Sequence, residues 1–268
     1  MSNQYRLGFI GAGNMAEAIV KAAIEANVLA PEQIVAADPS EARREVFASL
    51  GIATADENTQ VIAQSEQLVL AVKPQKMETP AAQIGQHGPA DQIVISIMAG
   101  IGTDKLTQAI GADRRIVRVM PNTPVMVGCG MAGLALGRHA QPGDEALTRQ
   151  LFEAGGEAVL VDEAKLDAIT AISGSGPAYV FYLAEAMEQA AQSLGLGDEA
   201  KKLVAQTIRG GAALLAQSDD DATTLKEKVM SPGGTTEAAI HHLDDQQANQ
   251  AIVQAIHAAE ARSRELGA

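Results

Sequence analysis

The sequence predicts an α/β chain: a doubly wound, mostly parallel sheet in the N-terminal part, followed by an all-helical C-terminal domain. Three observations carry this. Short, near-continuous apolar runs alternate with helical patterns up to about residue 161. Strands that are apolar on both faces belong to parallel sheets covered by helices on either side. After Asp162 only helical patterns follow. The expected division is a sheet domain over 1–162 and a helical domain over 163–268.

The first apolar run, 7–10, meets Gly11-Ala12-Gly13, and a helix follows in which Ala16, Ile19, Val20, Ala23 and Ile24 share one face. Residues 34–37 read as a second strand ending at Asp38-Pro39, with a helix over about 41–50. Further strands are expected at 68–72, stopped by Lys73-Pro74, at 93–97, followed by Met98-Ala99-Gly100, and at 116–119, ending at Met120-Pro121. Residues 131–136 and 158–161 can extend the sheet. In the helical part, Pro177 suits a first helical position and Gly195 lies just past that helix. Asp198 is a plausible N-cap for the next helix. That helix carries Gly210-Gly211 in its interior, where each glycine costs about 1 kcal/mol relative to alanine. A helix keeps such residues where another backbone must come close. A last helix is expected over about 246–264.

Composition limits the function. The 268 residues are 47% hydrophobic, 20% charged and 3% aromatic, without Trp, so the chain is globular with a core of Ala, Val, Ile and Leu. The net charge of -13 argues against nucleic acid as a partner, since phosphate backbones need a basic face. A single cysteine, Cys129, rules out an intrachain disulfide and any multi-cysteine metal site. No apolar run reaches the ~18 residues of a membrane helix, and residues 1–6 are polar and lead straight into a strand, without the pattern of a secretory leader. A cytoplasmic protein without a membrane partner is expected.

Gly11-Ala12-Gly13-Asn14-Met15-Ala16 fits G-x-G-x-x-G/A. Alone the pattern is weak. Here a strand precedes it, an amphipathic helix follows, and an acid, Asp38, closes the next strand about 20 residues on, the full context of a Rossmann-type dinucleotide site. Gly11 permits the tight turn, Gly13 lets the backbone approach a pyrophosphate, and the helix N-terminus presents N–H groups and a partial positive charge to the anion. Asp38 suits the ribose 2′-hydroxyl of NADH, whereas Ser40, Arg43 and Arg44 suit the 2′-phosphate of NADPH or an ordinary solvated helix face. Either nucleotide is expected as cofactor.

Strand ends line the ligand crevice of such a sheet, which directs attention to Lys73, to Ala99-Gly100 and to Pro121-Asn122-Thr123-Pro124. Ser231-Pro232-Gly233-Gly234-Thr235-Thr236 frees the backbone with two glycines and then starts a helix: a second anion cradle, or a capped helix start. Ser173-Gly174-Ser175-Gly176-Pro177 is a small-residue break before the main helix. His241 and His242 point to different helix faces and cannot share an ion, and no metal-ligand set is visible.

These pieces together resemble the pyrroline-5-carboxylate reductase family. They are residues 9–16, Ala71-Val72-Lys73-Pro74, Val119-Met120-Pro121-Asn122-Thr123-Pro124, the stretch from Ser173 to Tyr179, and the Ser231–Thr236 loop. The first is shared with many dehydrogenases; the last three, in this order, are specific. The resemblance implies reduction of the C=N bond of 1-pyrroline-5-carboxylate to L-proline by hydride from NADPH or NADH, the last step of proline biosynthesis. It implies a homo-oligomer built on helical-domain dimers. Carried onto this chain, Gly11, Gly13, Asn14 and Met15 hold the pyrophosphate, and Asn58, Ala71, Val72, Lys73, Pro74, Met98, Ala99 and Gly100 border the cofactor. Ser231, Gly233, Gly234, Thr235 and Thr236 take the substrate carboxylate, and the Thr236 hydroxyl matches the proton donor often proposed. Many members carry a small polar residue where this chain has Asp38. Other readings are a different imine or β-hydroxyacid reductase, for which Lys165 lacks its motif, and a non-catalytic dinucleotide sensor, which has no need of the Ser231–Thr236 loop.

Overall fold

The computed structural model describes residues 4–111 and 113–267. Eight strands form one sheet in the order β3-β2-β1-β4-β5-β6-β7-β8. They are β1 (Tyr5–Ile10), β2 (Ile34–Ala37), β3 (Ala53–Ala55), β4 (Ser65–Leu70), β5 (Ile93–Ser96), β6 (Arg115–Met120), β7 (Gly130–Leu136) and β8 (Gly156–Leu160). All neighbours pair in parallel except β6 and β7, which are antiparallel. The strand order reverses beside β1, the topological switch point at which such sheets bind ligands.

Alternate residues of each central strand enter opposite cores, because side chains on a strand alternate between faces. Phe9, Val69, Ile95 and Val117 pack on one side with α1 (Asn14–Glu25) and α6 (Ala146–Glu153). Ile10, Leu70, Val94 and Ile116 pack on the other with α3 (Asn58–Gln64), α4 (Glu78–His87) and α5 (Thr103–Ile110). Phe47 of α2 (Glu41–Ser49) meets Phe9 edge-on, with ring centroids 6.4 Å apart. The Arg114 guanidinium donates to the carbonyls of Ile84, Gly88 and Pro89, closing the C-terminal end of α4.

The chain forms two compact units, 1–175 with 259–268, and 176–258. In the first, α7 (Leu166–Ile169) and a π-turn at Thr170–Gly174 lie against the sheet, where Leu166 and Ile169 reach Gly133. The second comprises α8 (Gly176–Ser193), α9 (Ala200–Gln217), α10 (Ala222–Val229), α11 (Thr235–Asp245) and the start of α12 (Ala248–Gly267). Gln247, at φ 55, takes the left-handed conformation that separates α11 from α12. The single helix expected over 246–264 is therefore α12 alone, starting two residues later.

Two local expectations change. The run at 68–72 leaves the sheet after Leu70, so Ala71 and Val72 are loop residues at the strand end. Asp198 is not an N-cap: it lies in a 3-10 turn, Gly197–Glu199, and Glu199 precedes α9 in helical conformation without a side-chain bond. A side-chain cap needs an extended residue. Asp221 provides one before α10, accepting from the Thr224 N–H at 2.8 Å.

Candidate active site

Gly11 has φ +98, and a Cβ there would lie 2.8 Å from the Ala71 carbonyl oxygen, so only glycine fits this turn. The Gly11 N–H donates to the Ala37 carbonyl and the Ala12 N–H to Asp38 Oδ2, both at 2.8 Å. Arg43 Nε donates to the Ala12 carbonyl at 2.6 Å, and its Nη2 pairs with Glu17 at 2.7 Å. Gly13 is extended, and a Cβ built on it meets nothing within 4 Å. α1 then begins at Asn14 without a side-chain cap, so its first N–H groups and the positive end of its dipole face outward. The open space at Gly13 and these unpaired donors fit a diphosphate.

A cleft of ≈ 620 Å³ opens at this point. Of the residues expected to bind cofactor, it gathers Gly11, Gly13, Asp38, Asn58, Ala71, Val72 and Lys73. Asn58 donates to Gln83 Oε1 at 2.8 Å, which fixes its side chain beside the cleft. Asp38 Oδ1 accepts from the Ser40 N–H at 2.9 Å, and Arg44 donates to the Asp38 carbonyl at 2.8 Å. Gln75, Lys76 and Thr79 also line the cleft and were not anticipated. The Pro74 that ends the strand run and turns the chain through Pro74–Lys76 is the signal that could have placed them.

Six of the expected residues lie elsewhere. Met15 packs half-buried against the core, and Asn14 borders a separate ≈ 570 Å³ pocket with Val125 and Gly128. Pro74 opens the 3-10 turn. Met98 is 2% exposed, inside the second core. Gly100 has φ +74 and is covered by Leu266 of α12, whose Cβ would stand 3.2 Å from an added Cβ. Ala99, between them, is exposed.

The neighbouring strand ends carry a polar cluster. Glu163 accepts from the Thr103 N–H at 2.8 Å, from the Thr103 hydroxyl at 2.5 Å and from Arg118 at 3.0 Å. Burial pushes the Glu163 carboxyl up, but these donors outweigh it and hold it below the usual glutamate value. Asn122, 8% exposed, donates to Ser173 and accepts from the Met131 N–H at 2.8 Å.

In the helical unit, Gly233 has φ +71 and the Gly234 N–H donates to the Ser231 carbonyl at 2.9 Å, which turns the loop into α11. Gly234 is the extended N-cap and has no side chain to satisfy the first turn. The Thr235 and Thr236 N–H groups therefore have no intrahelical acceptor. Glu237, the next residue of this segment, accepts from the Gly233 N–H at 2.8 Å. Its place three residues after the cap, as in a capping box, is the signal that marks it. The turn thus has one of its amides held internally and the next two without an intrahelical acceptor.

The family model described as pyrroline-5-carboxylate reductase dimerisation matches residues 163–266, and that described as NADP oxidoreductase, coenzyme F420-dependent, matches residues 6–100. A pyrroline-5-carboxylate reductase of Haemophilus influenzae is 41% identical over 263 residues, covering 97% of each chain. The solved pyrroline-5-carboxylate reductase of Coxiella burnetii is 34% identical with a TM-score of 0.92, covering 99% of this chain and 100% of the other. That of Plasmodium falciparum, solved with NADP bound, is 29% identical with a TM-score of 0.89 over the whole of both chains.

Proposed function

The chain belongs to the pyrroline-5-carboxylate reductase family, and we propose that its reduced nicotinamide nucleotide lies with its diphosphate on the Gly11–Asn14 turn, in the ≈ 620 Å³ cleft. The enzyme is an oxidoreductase that reduces 1-pyrroline-5-carboxylate to L-proline. The observation that carries the siting is the open Cβ direction of Gly13 at the uncapped start of α1. When bound, the nucleotide supplies the hydride.

The chain's own residues bind and orient. Lys73 and Lys76 put positive charge on the rim of the cleft. Asp38 keeps a lone pair on each oxygen for a ribose hydroxyl, and Arg44 keeps further donors for a 2′-phosphate, so the protein takes both NADH and NADPH. Ser231, Gly233, Gly234, Thr235 and Thr236 hold the substrate carboxylate, chiefly through the Thr235 and Thr236 N–H groups. Thr236 orients the ring nitrogen by hydrogen bonding, directly or through water. A protonated iminium needs no donor during hydride transfer, and a threonine hydroxyl is a poor general acid at neutral pH.

The helical half joins two copies. Phe181 and Tyr182 of α8 are 68% and 77% exposed, and Leu214 and Leu215 of α9 are exposed beside Gly210-Gly211. Among the described residues of 176–258, the buried apolar side chains are Ala191, Ala200 and Val204, too few to be the core of a free-standing domain. An exposed apolar surface of this extent marks an interface. A cytoplasmic location is in keeping with the single cysteine.

The test is oxidation of NADPH and of NADH with 1-pyrroline-5-carboxylate, beside a panel of β-ketoacids. Turnover with the imine alone is expected. Turnover with the ketoacids alone would refute the assignment.

A further inference from the structure

Two arginines follow Asp38 on α2, and the hydrogen bonds give them different work. The Nε–Nη2 edge of Arg43 is fully engaged: Nε donates to the Ala12 carbonyl at 2.6 Å and Nη2 to Glu17 at 2.7 Å. That edge is the one a guanidinium uses for side-on, bidentate recognition of an oxyanion. Glu17 is the counter-ion and is itself bonded to Lys21 at 2.6 Å. Hydrogen bonds from Lys21 first, then from Arg43, hold the Glu17 carboxyl below its ordinary value against a smaller effect of burial. The pair persists as charged groups wherever the enzyme operates near neutral pH.

The other edge of the turn is pinned as well. The N–H of Ala12 donates to Asp38 Oδ2 at 2.8 Å. Ala12 is fully buried between Gly11 and Gly13, the two residues of the loop with most backbone freedom. Asp38 thus fixes the peptide before Ala12 and Arg43 fixes the peptide after it. A trans peptide sends its C=O and its N–H to opposite sides. Drawing the Ala12 carbonyl onto Arg43 therefore turns the Gly13 N–H away from α2. Gly13 lines the cleft, and its N–H has no hydrogen-bond partner among the described residues.

We propose that Arg43 is a positioning residue of the dinucleotide turn: with Asp38 it clamps the two peptides flanking Ala12, aims the Gly13 N–H at the diphosphate, and serves NADH and NADPH alike rather than gripping a 2′-phosphate. This rests on the siting of the nucleotide on the Gly11–Asn14 turn. The diphosphate is common to both nucleotides, so a loosened turn costs both the same factor. A lost 2′-phosphate contact costs only NADPH.

The experiment is titration of the purified protein with NADH and with NADPH, for the wild type, Arg43→Ala, Arg43→Lys and Glu17→Gln. Arg43→Ala is expected to raise both dissociation constants about tenfold, or about 1.4 kcal/mol, with their ratio unchanged within about twofold. Arg43→Lys is expected to recover only part of this for either nucleotide, because an ammonium has no planar fork to hold Ala12 and Glu17 together. Glu17→Gln leaves the arginine in place but removes its counter-ion, and a smaller loss of equal proportion for both nucleotides is expected. It carries the test if Arg43→Ala fails to fold. A loss confined to NADPH, full recovery by lysine, or unchanged affinity in Arg43→Ala would each overturn the proposal. Gly13→Val separates the two claims: unchanged affinity there would sink the siting itself, whatever Arg43 does.

Discussion

Asn122 donates to the carbonyl and to the hydroxyl of Ser173, both at 3.1 Å, and so ties the turn after β6 to the π-turn 51 residues further on. Its own Oδ1 accepts from the Met131 N–H, so one amide closes three partners. The sequence singles out Pro121–Pro124 and Ser173–Pro177 as separate small-residue corners; within the first unit, Asn122 of the former is hydrogen-bonded to Ser173, where the latter begins.

Asn122→Ala leaves the Ser173 carbonyl and the Met131 N–H without their partner, and a loss of about 2 kcal/mol is expected from unpaired buried groups. Asn122→Asp is expected to melt lower than Asn122→Ala at neutral pH. A carboxylate can still accept from Met131 but can only repel the Ser173 carbonyl, and its charge is buried. Acidification should narrow that difference as the carboxyl gains a proton to donate. Melting curves at two pH values check this, and an Asn122→Asp protein as stable as the wild type would contradict it.

Gly13→Val should fold and lose nucleotide. The built Cβ meets nothing within 4 Å, so no clash arises within the chain. A branched side chain would instead occupy the space proposed for the diphosphate. Unaltered melting with a nucleotide dissociation constant raised at least tenfold, about 1.4 kcal/mol, is the expected pair of results.

Glu163 makes stability depend on acidity. Its carboxyl lies below the ordinary value of 4.5 in the folded chain, so the unfolded chain binds the proton more readily. The stabilisation is complete above the ordinary value and is lost as pH falls through the lowered one. Glu163→Gln cannot titrate. The melting temperature of the wild type should exceed that of the variant at neutral pH, and the gap should close on acidification. A gap that stays constant however far the pH is lowered while both proteins remain folded would show that the Thr103 and Arg118 contacts do not depend on charge.

Gly211→Leu tests the pairing of copies. Nothing lies within 4 Å of an added Cβ at Gly210 or Gly211, and leucine favours a helix over glycine by up to about 1 kcal/mol. The chain should fold at least as well. If α9 meets a second copy at these glycines, the larger side chain forces the copies apart. Light scattering should then show a shift towards monomer, with activity falling alongside. A Gly211→Leu protein that stays fully associated would place the interface elsewhere.

Thr236→Ala should lower kcat by less than the ~10²–10⁴-fold expected on removing a true general acid, with a modest rise in KM, since the backbone N–H groups of the cradle remain. Disappearance of a titrating group from the pH profile, with a loss near the upper end of that range, would make the hydroxyl the proton donor after all.

The sheet was legible because its central strands are apolar on both faces, as in Val94 and Ile95, whose neighbours face opposite cores. β3 was not: three partly exposed residues at an edge carry no period. Nor was the reversal of β7, whose direction follows from the 3-10 turn Thr123–Val127 rather than from its own apolar pattern. In the candidate site, the gathering of Gly11, Gly13 and Asp38 at one cleft was legible because they punctuate one strand–turn–helix–strand unit. The surroundings of Gly100 were not legible, for the opposite reason. A strand end looks like crevice lining until Leu266, remote in sequence, is found lying over it. The separate tasks of Arg43 and Arg44 depend on which guanidinium faces Ala12, and no sequence pattern encodes that.

Residues 259–268 belong to the first unit, so the segment 176–258 is an insertion between its parts. Ser263 donates to Asp167 at 2.7 Å and Leu266 rests on Gly100, contacts that join the end of α12 to residues made much earlier. During synthesis the sheet emerges long before the helix that completes it. At about 5–20 residues per second, some 5–20 s separate the appearance of Ser175 from that of α12's last turn. For that interval Gly100 has no Leu266 beside it and Asp167 no Ser263 hydroxyl to accept from. The first unit therefore gains these contacts only after the whole of 176–258 has been made, so its assembly waits on the segment inserted into it.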